Sequence, residues 1–194
     1  MTDIVCLLGS PRGEGNSAEL ARLFCTTAEA EGGSVTRFDL AALSFSGCRA
    51  LFHCKTAGER CGLDDELSAA LEAIRAADIV VLASPVYFTD LSSHLKACID
   101  RWFSFFVPDY VTNPQKSRLA PGKRLVFILT QGEPEDRCAD IFPRYERPFR
   151  MLGFEDCHLI RACGIREPGE VRQHSKVVAQ AETLARRLVR GGQP

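Results

Sequence analysis

Three short segments of this chain hold residues whose types and spacing suit chemistry. The first is Gly9-Ser10-Pro11-Arg12-Gly13-Glu14-Gly15-Asn16-Ser17, which leads from an apolar run into a helical pattern. A Gly-rich turn there exposes backbone N–H groups, Ser10 and Ser17 add hydroxyls, and Asn16 adds an amide. With the positive end of a helix behind them, these donors make an anion site. Arg12 brings a planar donor fork that matches phosphate. The second segment, Pro85-Val86-Tyr87-Phe88, sets flat aromatic and apolar surface directly after a buried run. The third, Thr130-Gln131-Gly132, ends another such run. The alternatives are plainer: a capped turn without a ligand for the first and third, and core packing for Tyr87 and Phe88.

Several phosphate chemistries compete for the first loop. No Gly-Lys-Ser/Thr closes it, which argues against nucleotide triphosphate hydrolysis. Gly13-Glu14-Gly15-Asn16-Ser17-Ala18 matches the dinucleotide pattern, with Asp39 downstream,. That pattern starts at a strand end, however, and here the strand is expected to stop at Leu8, before Gly13 by five positions. Cys6 and Arg12 carry the spacing of a cysteine phosphatase. Leu7 and Leu8 put Cys6 in mid-strand, where a thiol stays protonated and inert.

These loops need a frame to hold them. Apolar runs at 4–8 and 79–83 read as strands buried on both faces, 124–130 gives another buried strand, and weaker strands are expected at 34–40 and 156–163,. Helical patterns lie between them: one capped by Asn16, one opening at Asp64 or Asp65, one from near Ser92 through Phe106, one over 138–152 and one over 171–189,. Residues 41–62 show no clear period. Five strands alternating with five helices predict an α/β fold with a parallel sheet covered on both faces. Ligands of such folds sit beyond the carboxyl ends of the strands, where the strand order reverses. The three segments stand at those ends.

Composition narrows the function classes. The chain has 194 residues, 45% of them hydrophobic and 25% charged, which reads as one globular domain over 1–194,. Lys plus Arg is 24 and Asp plus Glu is 25, so the net charge is 24 − 25 = −1. No positive excess is available for nucleic acid or an anionic membrane. The apolar runs fall far short of the ~20 residues of a membrane span, and no basic segment precedes the first of them. A cytoplasmic location is expected. The nine cysteines, at 6, 25, 48, 54, 61, 98, 138, 157 and 163, are an odd count spread over the chain. Most read as reduced, buried thiols. Only Cys48, Cys54 and Cys61 cluster.

Gly9-Ser10-Pro11-Arg12 with Gly15-Asn16-Ser17, then Ala83-Ser84-Pro85-Val86-Tyr87-Phe88-Thr89-Asp90, then Leu95-Lys96-Ala97-Cys98-Ile99-Asp100-Arg101, together resemble the NADPH-dependent FMN reductases. The resemblance is greatest to the branch of iron–sulfur flavoproteins. It implies a flavodoxin-like fold, with five parallel strands in the order 2-1-3-4-5, and FMN bound without covalent attachment. It further implies that Ser10, Arg12, Asn16 and Ser17 hold the FMN phosphate and that Pro85, Val86, Tyr87 and Phe88 line the isoalloxazine ring. Gln131 and Gly132 would then close over the flavin. The implied activity moves hydride from NAD(P)H through FMN to a quinone, flavin or similar small acceptor, with no protein acid or base. The alternatives are a non-enzymatic FMN electron carrier, a Rossmann-type NAD(P) dehydrogenase, and a redox or metal sensor built on the cysteine trio.

The resemblance also implies a homodimer or homotetramer. The run Trp102-Phe103-Ser104-Phe105-Phe106-Val107, with Tyr110 close behind, carries more aromatic surface than one core face needs,. Trp102 is therefore expected at or beside a subunit interface, the alternative being a covering loop from 108–122. Cys48, Cys54 and Cys61, followed by Asp64-Asp65, match the first, third and fourth cluster cysteines of the iron–sulfur branch. Leu51 stands at the second. Three thiolates are one short of a [4Fe–4S] set, so no cluster is expected. The loop would keep reduced thiols or form one labile disulfide.

Overall fold

The computed structural model describes residues 1–191. Ile4 to Leu8 form the centre of β1 (Asp3–Leu8), which pairs in parallel with β2 (Ser34–Asp39) on one side and β3 (Ile79–Tyr87) on the other. Pairing on both edges, under helices on both faces, is why this run is apolar without alternation. β5 (Lys123–Thr130) pairs with β3, and β6 (Phe154–Ala162) with β5. The connecting helices are α1 (Asn16–Ala30), α2 (His53–Thr56), α3 (Leu67–Ala76), α4 (Ser93–Arg101), α5 (Ile141–Met151) and α6 (Ser175–Arg190).

Alternate strand residues feed two apolar layers. Ile4, Cys6, Val81, Val126 and Ile128 meet Leu20, Phe24, Leu184 and Leu188 of α1 and α6. Val5, Leu7, Val80, Leu82 and Phe127 meet Leu71, Ile74, Leu95 and Phe149 of α3, α4 and α5.

Three sequence expectations are corrected. Among the described residues the sheet has six strands rather than five: the path β2-β1-β3-β5-β6 is joined by β4 (Asp90–Leu91), which folds back antiparallel onto the end of β3. Two residues are too short to show a period, so β4 left no trace in the sequence pattern. The short α2 inside the aperiodic 41–62 segment escaped for the same reason.

The third correction concerns Trp102, which is 1% exposed and belongs to the core of its own chain. Its ring packs between Phe105, Phe149 and Phe154 at centroid distances of 5.9, 5.2 and 5.9 Å. The α-helix stops at Arg101, and one 3-10 turn over Trp102–Phe105 changes the periodicity. The following segment then lies over the turn: Val107 donates to the Lys116 carbonyl, Arg118 N–H to that of Phe105, and Tyr110 packs on Phe106 at 4.9 Å. The surplus aromatics serve two internal contacts, the core and this covering loop. Trp102 itself is spent on the first of these.

Candidate functional site

The chain leaves β1 toward β2 on one side and reaches β3 on the other, so the strand order reverses at the carboxyl end of β1,. Gly9 begins the loop there. Its N–H donates to the Ala83 carbonyl at 2.8 Å, and its carbonyl accepts from Ser92 Oγ at 2.6 Å. A Cβ at Gly9 would lie 2.7 Å from Leu95 Cβ and 3.0 Å from the Ala83 oxygen. Only glycine lets the loop approach α4 this closely. Ser92 caps α4, accepting from Leu95 N–H, as its position in the sequence predicts.

Beyond Gly9 the loop curls on itself. Arg12 N–H donates to Ser10 Oγ at 3.1 Å, that hydroxyl donates to the Arg12 carbonyl at 2.9 Å, and Gly15 N–H donates to the same carbonyl at 3.0 Å. Ser17 is 1% exposed, and its Oγ has no hydrogen-bond partner among the described residues. A buried hydroxyl without a partner is costly, unless a ligand oxygen supplies the missing bond. It stands at the start of α1, where backbone N–H groups are unpaired and the helix dipole favours an anion.

A cleft of about 220 Å³ brings together Ser10, Arg12, Asn16, Ser17, Pro85, Val86, Tyr87, Gln131 and Gly132. Phe88 is absent from it. With a φ of 46° it sits at the tip of the β3–β4 hairpin, beside Thr89 at 67°, and its side chain is fully exposed. The cleft also includes Ile165 and Arg166, which sequence reasoning missed. They follow β6, so the rule that ligands gather beyond carboxyl ends was signal enough to examine them.

Asn16 and Gln131 line the cleft in a different way than expected. Asn16 is the first residue of α1, not its cap. Its Nδ2 donates to the Glu167 carbonyl at 2.9 Å, and its Oδ1 accepts from Val171 N–H at 3.1 Å. The amide thus fastens the loop after β6 to the loop after β1, leaving one N–H for a ligand. Gln131 Nε2 reaches the carbonyls of Glu133, Pro134 and Arg137, while Arg161 donates to its Oε1 at 2.9 Å. It is a brace for the loop, and Gly132 is what that brace presents. Cys6 is wholly buried, and its pKa is raised well above the ordinary thiol value by donation to Cys25 and by burial. It is no nucleophile.

A family model described as the flavodoxin-like fold matches residues 2–188. This chain belongs to the flavodoxin-like fold family. The flavodoxin-like chain is 34% identical over 98 residues to an iron–sulfur flavoprotein of Methanocaldococcus jannaschii, covering 50% of each protein. It is 31% identical over 133 residues to an FMN-dependent NADH:quinone oxidoreductase of Yersinia pestis, covering 68% of this chain and 64% of that protein. The alignments span about half the length of the first curated relatives. An FMN-dependent NADH-azoreductase from Bacillus anthracis, solved with FMN, superposes with a TM-score of 0.74 at 18% identity, covering 97% of this chain and 100% of that one. An NAD(P)H:quinone oxidoreductase from Methanothermobacter marburgensis gives 0.70 at 17% identity, covering 96% and 95%. At that identity the likeness is one of fold.

The cysteine segment of this flavodoxin-like protein is built around Arg101, whose side chain is fully buried. Its Nη1 donates to Asp65 Oδ2 at 2.8 Å and to the Ser46 carbonyl at 3.0 Å, its Nη2 to the Leu63 carbonyl at 3.0 Å, and its Nε to Cys61 Sγ at 2.8 Å. Burial alone would lower the Arg101 pKa. The Asp65 and Cys61 contacts outweigh it and raise the value. Cys48, Cys54 and Cys61 line one cavity of about 80 Å³.

A [4Fe–4S] cluster does not fit this arrangement. Leu51 occupies the missing ligand's position and is half exposed, and a guanidinium already engages Cys61 Sγ. Among the described residues, no three His, Cys, Asp or Glu side chains stand as a ligand set. Anaerobic purification followed by iron and sulfide analysis is expected to find neither at cluster stoichiometry. About four irons per chain would contradict this.

Proposed function

We propose that this protein, acting as a single domain, is an FMN-dependent oxidoreductase that takes hydride from NAD(P)H and reduces a quinone, flavin or similar small acceptor. The observation that carries the reading is the orphaned Ser17 hydroxyl, buried beside the exposed Arg12 at the switch point of a flavodoxin-like sheet. The two curated relatives, one an iron–sulfur flavoprotein and one an FMN-dependent NADH:quinone oxidoreductase, support it.

The residues present fit FMN. Ser10, Arg12, Ser17 and the free N–H of Asn16 would hold the phosphate, with the α1 dipole behind them. Pro85, Val86 and Tyr87 would flank the ring on the β3 side, and the Gln131 brace would hold Gly132 against the other. Bound FMN supplies the hydride-accepting ring. The protein's task is then to bind, orient and exclude water, and none of its four histidines lines the cleft.

A visible absorption spectrum tests the cofactor, and steady-state NAD(P)H oxidation with a quinone tests the activity. A colourless protein that takes up no FMN would refute the reading. Bound FMN without turnover would favour the electron carrier, although the net charge of −1 lacks the acidity such carriers use for docking. The dehydrogenase alternative is weaker still, because β1 ends at Leu8, well before Gly13.

Arg12→Ala is expected to weaken FMN binding by roughly tenfold or more, since a charge-assisted hydrogen bond contributes about 1.5–3 kcal/mol. Arg12 is exposed, so the thermal midpoint of the FMN-free protein should not move. An unchanged FMN titration would remove Arg12 from the site.

The proposal extends to a cytoplasmic homodimer or homotetramer. No helix among the described residues is long and apolar enough to cross a membrane. The exposed aromatics that invite a second copy are Tyr87 and Phe88 on the hairpin beside the cleft. Sedimentation of the wild-type chain as a monomer at micromolar concentration would end this part.

A further inference from the structure

We propose that Cys61 and Cys54 form a peroxide-reactive dithiol, in which a hydroperoxide oxidises Cys61 and Cys54 closes an intramolecular disulfide. The pairing rests on how the chain folds back between them. Ala57 and Gly58 N–H both donate to the His53 carbonyl, at 3.0 and 2.9 Å, ending α2 in a tight reversal. A Cβ on Gly58 would lie 2.6 Å from His53 Nε2, and one on Gly62 would lie 2.7 Å from His53 Cβ. Residues 53 and 62 are thus in contact through glycine, and their neighbours Cys54 and Cys61 line the same cavity of about 80 Å³.

Access and charge single out Cys61 as the attacking sulfur. It also borders a second, wider cleft of about 480 Å³, which gives a small oxidant a way in. Arg101 Nε, on a fully buried guanidinium, is fixed 2.8 Å from its sulfur. A partly accessible thiol beside a cation is the setting in which cysteines react. Cys98 and Cys157 lie in the opposite setting. Burial pushes Cys98 up to about 12 and Cys157 up to about 11.

The chemistry balances. The Cys61 sulfur attacks one peroxide oxygen and gives up its proton to water, the O–O bond breaks, and the leaving alkoxide takes a proton from water, leaving Cys61 as the sulfenic acid. The Cys54 sulfur attacks that sulfur, forming the S–S bond and releasing water. In sum, two thiols and one hydroperoxide give one disulfide, one alcohol and one water.

The test uses the whole native protein, treated briefly with hydrogen peroxide, alkylated, digested and mapped by mass spectrometry. The expected product is a Cys54–Cys61 link, reversed by dithiothreitol, with Cys61 consumed at least tenfold faster than Cys98. Cys54→Ser should instead leave a Cys61 sulfenic acid that dimedone traps, and Cys61→Ser should abolish the link. Oxidation of Cys61 no faster than Cys98, or a link through Cys48, would overturn the proposal. The wild-type map decides even where a variant fails to fold, and none of these readouts depends on FMN.

Discussion

Trp102→Ala is expected to destabilise the folded chain by about 3–5 kcal/mol, the cost of emptying a large aromatic site in a packed core. The ring is 1% exposed and contacts three other aromatics, with the Phe154 ring nearly parallel to it at 24°. Those neighbours stand on β6, on α5 and on the 3-10 turn after α4, so collapse around the cavity would have to move separate elements together. Trp102→Phe is the control. The indole N–H has no hydrogen-bond partner among the described residues, so the smaller ring gives up packing alone. Urea unfolding measures both variants. A loss below about 1 kcal/mol for the alanine variant would mean that the site relaxes, contrary to close packing.

Arg101→Met should cost about 3 kcal/mol and loosen the cysteine segment selectively. Removing one partner of a buried ion pair typically costs about 3–5 kcal/mol, because the other group is left without compensation. Asp65 keeps some contact with solvent, its side chain 19% exposed, which places the effect at the lower end. The carbonyls of Ser46 and Leu63 lose their donor in the same step. Lys55 ties the segment down independently, donating to the carbonyls of Phe103 and Phe106 at 2.7 and 2.6 Å. The segment should therefore open locally while α1 and the cleft persist. Hydrogen exchange is expected to quicken over residues 44–66 and stay unchanged in β1 and β3. Uniform acceleration would show that Arg101 supports the whole domain.

Much of the fold was legible in the chain. Ile4–Leu8, Ile79–Ala83 and Leu125–Leu129 are apolar throughout because each is covered on two faces and paired on two edges. That requirement shows locally, as an unbroken apolar run ended by a loop. The site was legible for a related reason. A loop leaving the end of a parallel strand faces the crevice beyond the sheet, so the segments holding Ser10, Arg12 and Ser17 stood out by composition and place, while the roles given to Pro85 and Gly132 came from the resemblance; all five line the one cleft.

Three-dimensional packing decided the rest. Asn16 carries the residue type of a cap or a phosphate ligand, yet its partners, Glu167 and Val171, lie more than 150 positions away. Trp102 looked surplus because a helix face was counted without the 3-10 turn that redirects it or the loop that covers it. Arg101 closes one of the segments that carry the resemblance, and only the folded chain places Ser46, Cys61, Leu63 and Asp65 around it. In each case the side chain's chemistry was plain from its type, while its partner came from distant sequence. A local pattern records which face must be buried. It cannot record which remote group will meet it there.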